Sequence, residues 1–393
     1  MINLGDHLNI ALTERRHKNL LRARRIIDSP TGVKVILGAR ELINFSSNDY
    51  LGLANHPALI AASKTALDRY GLGSGASHLI TGHSREHEAL EEELAAFTGR
   101  PAALCFSTGF MANLGAITAL VGEGDAVFAD KLNHASLLDG GRSSGAEFVR
   151  YLHNDVEALT TKLNASAATR KLVVTDAVFS MDGDLAPLPE LADLCRKTNA
   201  WFMIDDAHGF GVLGKHGAGS LEHFALNAEQ VPIYMATLGK AMGSFGAFIA
   251  GSRDLIDYLI QFARPYIYTT AMPAGIAAAT RASLKLLASE SWRRAQLQHH
   301  IALFKASAQA HALPLLPSDT AIQPLMIGDA ANALAFSQQL ESRGYLVSAI
   351  RPPTVPPNTA RLRITLSAAH DEKDIRRLAD TLAELYPSFK AVL

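Results

Sequence analysis

The sequence predicts an α/β protein in which a large domain with a mostly parallel central sheet is followed by a smaller α+β C-terminal domain. From about Phe45 to Ser289, short apolar runs alternate with helix-like stretches, the pattern of crossover connections between parallel strands. Each run ends in polar or glycine-rich residues, as a strand does where it leaves a sheet. The chain has 393 residues, 48% of them hydrophobic, which exceeds the length at which one core usually stops growing. Two cores are therefore expected.

Leu8, Leu12, Leu20 and Leu21 recur at approximately helical spacing among Arg15, Arg16, Lys18, Arg22, Arg24 and Arg25, which predicts an amphipathic N-terminal helix with a solvated basic face. Residues 1–44 are read as this helix and its following segment, 45–290 as the large domain and 291–393 as the small one. Strands are expected at Ala103–Phe106, Ala126–Ala129, Lys171–Thr175, Ala200–Ile204, Ile233–Ala236 and Ala247–Ala250. The uncharged stretch Ser107–Gly122 falls short of the roughly 20 apolar residues of a membrane span and is interrupted by Gly109, Asn113 and Gly115. It reads as a loop entering a buried helix, Met111–Leu120. A helical run from Pro273 to Leu287 leads to a long helix over Trp292–Ala312. Beyond it come strand-like Ile322–Ile327, a helix near Asn332–Arg343, strand-like Leu346–Ala349 and Arg361–Leu366, and a final helix from Asp371.

Lysine plus arginine totals 37 against 38 acidic residues, so no global charge favours nucleic acid or an anionic membrane as a partner. The two cysteines, Cys105 and Cys195, form neither a disulfide framework nor metal-ligand spacing, and no metal site is expected. The N-terminus lacks a basic-then-apolar signal pattern, and a cytoplasmic location is expected.

Ligands of open α/β sheets bind outside the carboxyl ends of the strands, so residues following each strand deserve a chemical reading. Asp205 ends Trp201–Ile204, where a carboxylate can hold a protonated pyridine nitrogen; it can equally cap the next turn or bind Mg²⁺. His208 can donate to a phenolate oxygen or serve as a structural histidine. Lys240 alone resembles a surface turn, yet the run Ile233–Ala236 delivers Thr237 and Lys240 to the same edge, and a lysine amine forms an imine with an aldehyde. Ser107–Phe110 opens a helix whose N-terminus favours a phosphate, although a simple N-cap explains that segment too. His134 supplies a flat imidazole and Ser180 a hydroxyl. Gly71, Gly73 and Gly75 follow no convincing strand, which excludes a dinucleotide fingerprint. Five strand ends, each suited to a different part of pyridoxal phosphate, point to that cofactor.

The segments Asn48–Gly52, Ser107–Phe110, Asn133–Ser136, Val178–Gly183, Asp205–Gly209, Thr237–Lys240 and Arg361–Thr365 together closely resemble the α-oxoamine synthases, over nearly the whole chain. The resemblance implies the fold-type-I pyridoxal-phosphate transferase architecture and a homodimer with active sites at the subunit boundary, where the Gly71–Gly82 loop would complete the neighbouring site. It assigns Lys240 to the cofactor aldehyde, Asp205 to the pyridine nitrogen, His208 to the phenolate oxygen and His134 to stacking on the ring. It further assigns backbone contacts to Gly109 and Phe110, a cofactor contact to Ser180 and a phosphate contact to Thr237. Arg22 and Thr354 match substrate-contacting positions. The amino-acid carboxylate falls to Arg363, with Arg351 as an additional candidate; a strand-end salt bridge is the plain alternative for Arg363.

Phe45–Gly52, His153–Asp155 and Ala349–Pro356 are most similar to members that join L-alanine to a pimeloyl thioester in biotin synthesis, which implies a decarboxylative condensation. Members using glycine or serine with another acyl thioester, an aminotransferase of the same fold, and a cofactor-binding regulator without turnover are the competing readings. The segment 71–82 departs from several relatives beside the expected acyl pocket. Asp176 stands where glutamate is common, a change expected to matter little.

Overall fold

The computed structural model describes residues 3–389. Its strands, in chain order, are β1 (Lys34–Leu37), β2 (Arg40–Asn44), β3 (Ala102–Phe106), β4 (Ala126–Asp130), β5 (Glu147–Tyr151), β6 (Lys171–Asp176), β7 (Trp201–Asp205), β8 (Ile233–Thr237), β9 (Ala247–Gly251), β10 (Ile322–Gly328), β11 (Tyr345–Leu346), β12 (Ser348–Ile350) and β13 (Ala360–Thr365). The chain divides into two compact units. One comprises Met1–Tyr50, Met181–Gly183 and Ala295–Leu393; the other comprises Leu51–Ser180 and Asp184–Arg294.

The larger unit is built on a seven-stranded sheet in the order β3-β9-β8-β7-β6-β4-β5. Strands β8, β7, β6, β4 and β5 run parallel to one another. Strand β9 lies antiparallel between β8 and β3, so β3 ends at the same edge as the parallel strands. Strands β3, β4 and β9 are buried at every position, as their apolar runs require, with Asp130 the one charged residue, at the end of β4. Ala112, Ala116 and Ile117 of the helix Gly109–Leu120 share one core with Leu104 of β3, Val127 of β4, Val174 of β6, Met235 of β8 and Ile249 of β9. Each large aliphatic side chain buried in this way contributes about 1.5–3 kcal/mol before chain entropy is counted. Strand β5 escapes the sequence reading because it is an edge strand carrying Glu147 and Arg150, with only Tyr151 buried.

In the smaller unit, β1 and β2 form a hairpin extended by β11, and β13 lies between β10 and β12. The single strand expected at Leu346–Ala349 is two. The Ser337 hydroxyl donates to the carbonyl of Val347, and on either side β11 pairs with β2 while β12 pairs with β13. The end of the N-terminal segment is tied into the smaller unit: Ile43 donates to the Gly344 carbonyl, and Ile43 and Asn44 pair with Tyr345 and Leu346. The division within the long helix falls after Arg294, not at 290, and residues 1, 2 and 390–393 of the expected ranges lie outside the described residues.

The N-terminal helix is shorter than the leucine spacing predicts, spanning Leu4–His17. Asn19 adopts a left-handed φ of 54°, and the N–H groups of Asn19 and Leu20 turn back onto Arg16 and Arg15, closing the helix before Leu20, Leu21 and Arg22. Among the described residues no helix is long and apolar enough to cross a membrane.

Candidate active site

The carboxyl edge of the seven-stranded sheet brings the predicted residues of the larger unit together. Asp205 is the last residue of β7, 4% exposed, and pairs in register with Asp176 at the end of β6 and Met235 in β8. Its carboxylate accepts from Asn113 Nδ2 at 2.7 Å and from the Ala207 N–H at 3.0 Å. The turn after β7 carries His208, which is buried, and the turn after β8 carries Lys240; the Lys240 amine lies 2.7 Å from His208 Nε2. Thr237 ends β8, its hydroxyl donating to Gly246 at 3.0 Å.

After β3, Thr108 caps the helix Gly109–Leu120, and its side chain accepts from the Met111 N–H. The first amides of a helix have no acceptor within it, so the Gly109 and Phe110 N–H groups are available to an anion. A Cβ on Gly109 would come within 2.8 Å of Met235 Cε, so glycine lets the helix start close against β8. After β4, His134 caps the helix Ala135–Ser143. Its backbone N–H donates to Asp176 Oδ2 at 2.6 Å, and Asn133 is fixed to β6 through the Val174 carbonyl and the Asp176 N–H. Although His134 keeps exposed surface, burial of its inner side outweighs the attraction of Asp205 and holds the imidazole below its ordinary pKa. Burial, and then the neighbouring Asp205, push the Asp176 carboxyl well up.

Ser180 lies half-buried in the hairpin that follows β6, closed by the Val178–Leu185 bridge. His153 clamps this hairpin: Nδ1 meets Asp130 Oδ1 at 3.0 Å and Nε2 meets Asp184 Oδ2 at 2.9 Å.

The smaller unit holds the expected substrate residues. Arg363, on β13 and 7% exposed, donates two bonds of 3.2 Å to Asn48 Oδ1. Its neighbour Arg361 is paired with Asp182 instead. Arg22 donates to Thr354 Oγ1 at 3.0 Å, so these two predicted residues do meet, and Arg351 donates to the carbonyl of Asn19.

Clefts of 410 Å³ beside Arg100 and 520 Å³ beside Trp201 are lined by none of Lys240, Asp205, His208 or His134; the chemistry of the side chains, not cleft volume, marks the site. The set fits pyridoxal phosphate: an amine for the aldehyde, a buried carboxylate fixed by neutral donors for the ring nitrogen, an imidazole with an open side and helix amides for the phosphate. Three contributors carried no assigned role in the sequence reading. Asn113 registers there only as a polar break in an apolar helix, Ser136 only as part of a motif, and Asp176 as a change of little consequence, whereas it holds the His134 backbone.

Residues 40–382 match the family described as aminotransferase class I and II. The chain is 59% identical to an 8-amino-7-oxononanoate synthase of Cellvibrio japonicus, with 98% of this chain and 97% of that one aligned. Among solved structures it is similar to an 8-amino-7-oxononanoate synthase from Francisella tularensis, with 33% identity, a TM-score of 0.77 and coverage of 88% of this chain and 98% of the other. A serine palmitoyltransferase from S. paucimobilis, solved with bound PLP, superposes with a TM-score of 0.93 at 29% identity over 99% of both chains. With the family match spanning most of its length and the near relatives covering nearly all of it, the chain belongs to the class I and II aminotransferase family.

Proposed function

We propose that the chain catalyses the decarboxylative condensation of L-alanine with a pimeloyl thioester to 8-amino-7-oxononanoate, releasing carbon dioxide and the thiol carrier, as a step of biotin synthesis. The observation that carries this reading is the Lys240 amine 2.7 Å from His208 Nε2 in the unit that also presents Asp205 and His134 at the same sheet edge. Near-full-length identity of 59% to a relative of that name supports the substrate pair.

Pyridoxal phosphate, when bound, supplies an electron sink for the carbanion at the alanine Cα. Asp205 would hold the ring nitrogen in its protonated form, with Asn113 and Ala207 N–H keeping the carboxylate in place. Lys240 would hold the aldehyde end and then, as a free amine, move the alanine Cα proton. His208 would keep its Nε2 against that amine and serve the phenolate oxygen through the same ring. His134 would cover the ring and donate to an oxygen of the acyl donor or of the carboxylate. Gly109, Phe110 and Thr237 would serve the phosphate; for Thr237 this requires its proton to turn away from Gly246. Ser180 would touch the cofactor from the hairpin.

In the smaller unit Arg363 would take the amino-acid carboxylate, because Arg361 is committed to Asp182. Arg22, Thr354 and Arg351 would meet the acyl donor or alanine. We also propose a cytoplasmic homodimer. The helix Leu4–His17 buries no residue, and Leu72 and Ile80 are 79% and 75% exposed, apolar surface that a second copy would cover.

Mass spectrometry of products from L-alanine and pimeloyl-CoA, compared with glycine and acetyl-CoA, tests the reading. Expected is a product of the first pair that has lost one carbon dioxide. Preference for the second pair, or a keto-acid-dependent half-reaction, overturns it.

A further inference from the structure

A continuous hydrogen-bonded line runs from Asp205 to His134 through two side chains that no proposed chemical step uses. Asn113 Nδ2 donates to Asp205 Oδ2 at 2.7 Å and to Ser136 Oγ at 2.9 Å. Ser136 Oγ in turn lies 2.7 Å from His134 Nδ1. Asn113 and Ser136 are fully buried, so bulk solvent does not reach them.

The direction of every bond in this line is determined. The Asn113 amide could be turned over only by aiming Oδ1 at the Asp205 carboxylate, two acceptors in contact, so Nδ2 faces Asp205. Both of its hydrogens are then used, one on Asp205 and one on Ser136. Having accepted one bond, the Ser136 hydroxyl has one hydrogen to give, and its near partner is His134 Nδ1. That nitrogen must accept. It also receives the Ser136 backbone N–H at 3.3 Å. Asn113 Oδ1 is left buried without a hydrogen-bond partner. Leaving that carbonyl unpaired goes with pointing both N–H groups along the line.

We propose that Asn113 and Ser136 are positioning residues that fix His134 as the neutral, Nε2-protonated tautomer and tie that choice to the negative charge on Asp205. Placing a proton on Nδ1 would set it against the Ser136 hydrogen. Turning that hydrogen away from both neighbours would leave it buried without an acceptor, and a proton on Nδ1 would still face the Ser136 backbone N–H. The charged groups facing His134 are Asp205, Asp139 and Lys240, and the pull of the two acids does not overcome burial. The outcome is an imidazole that offers Nε2–H as a standing donor. This deepens the proposed reading of the site, since that N–H is the group offered to an acyl or carboxylate oxygen.

Solid-state ¹⁵N NMR of the full-length holoenzyme, labelled at histidine, reads the tautomer directly, with the His134 signals identified by their loss in His134→Asn. The expected wild-type result is an unprotonated Nδ1 and a protonated Nε2 at pH 7. In Ser136→Ala and in Asn113→Leu, Nδ1 should gain proton occupancy, and kcat should fall roughly 10-fold while KM for alanine stays within about twofold. A wild-type ring protonated at Nδ1 overturns the proposal, as does a tautomer unmoved in both variants. If neither variant folds, the wild-type spectrum alone decides. Because the spectrum reports this chain's own proton and not turnover, failure of the proposed reaction would leave the tautomer result standing.

Discussion

The amine of Lys240 and the Nε2 of His208 are 2.7 Å apart, so one of the two must donate to the other. Contact with the His208 ring nitrogen helps to hold the amine at one place on the sheet edge. Lys240→Ala should therefore abolish the visible absorbance of covalently held cofactor and lower turnover by a factor of about 10³ or more. His208→Asn should retain the absorbance with a smaller loss, roughly 10-fold. A Lys240→Ala protein with unchanged absorbance and activity contradicts the role.

Arg361 and Arg363 sit two residues apart on β13 and both are buried, yet they face different partners. Arg361 is ion-paired with Asp182, and Arg363 is bonded to the amide oxygen of Asn48. Arg361 is buried but Asp182 keeps contact with solvent, which screens the charge left behind, so Arg361→Met should lower the unfolding free energy by about 1–2 kcal/mol in urea titration. Arg363→Lys should lower the unfolding midpoint less than Arg361→Met does and raise KM for alanine by roughly 10-fold, because an ammonium cannot reproduce a two-point guanidinium contact. If Arg363→Lys binds alanine normally, the carboxylate belongs elsewhere.

These contrasts also show what a sequence can and cannot reveal. Strands β3, β4 and β6 to β9 were legible because burial on both faces demands continuous apolar runs, and the residues just after them were legible because that is where a parallel sheet presents ligands. Strand β5 was not, since an edge strand with Glu147 and Arg150 has no such run. The break between β11 and β12 depends on a hydroxyl from another helix, and the end of the first helix depends on the backbone of Asn19. The same limit applies to the site. Lys240 and Asp205 announce themselves through local chemistry, but Asn113 acquires meaning only from Asp205, 92 residues away, and from Ser136, 23 residues away. No local pattern encodes a contact of that separation.

His153 provides a pH test of the hairpin that carries Ser180. Burial alone would depress its imidazole, but the bonds to Asp130 and Asp184 outweigh this and raise the pKa to about 10. A folded-state value above the ordinary 6.5 means that the charged ring stabilises the fold fully below about pH 6.5 and that this contribution is lost as pH rises toward 10. Since the ring retains some solvent contact, roughly 2 kcal/mol is a reasonable size for the effect. The stability gap between wild type and His153→Gln in urea should thus be widest near pH 6 and close by pH 10. A gap that widens with pH would reverse the assignment.

Asp176 supplies the remaining prediction, and it separates charge from geometry. Its Oδ2 receives the His134 N–H at 2.6 Å while its own N–H goes to Asn133, so the loop after β4 is pinned to the end of β6. Burial and the adjacent Asp205 raise its pKa, which makes the negative charge costly at this position and the accepting oxygen the useful part. Asp176→Asn keeps that oxygen, removes the repulsion against Asp205 and should leave kcat within about threefold of wild type, with stability equal or higher. Asp176→Ala removes the acceptor and strands a backbone N–H, so His134 should lose its fixed placement and kcat should fall roughly 10-fold. Asp176→Ala also opens a small cavity, but only Asp176→Asn still offers His134 an acceptor. If Asp176→Asn proves as damaging as Asp176→Ala, the carboxylate charge itself is required and the geometric role given to Asp176 fails.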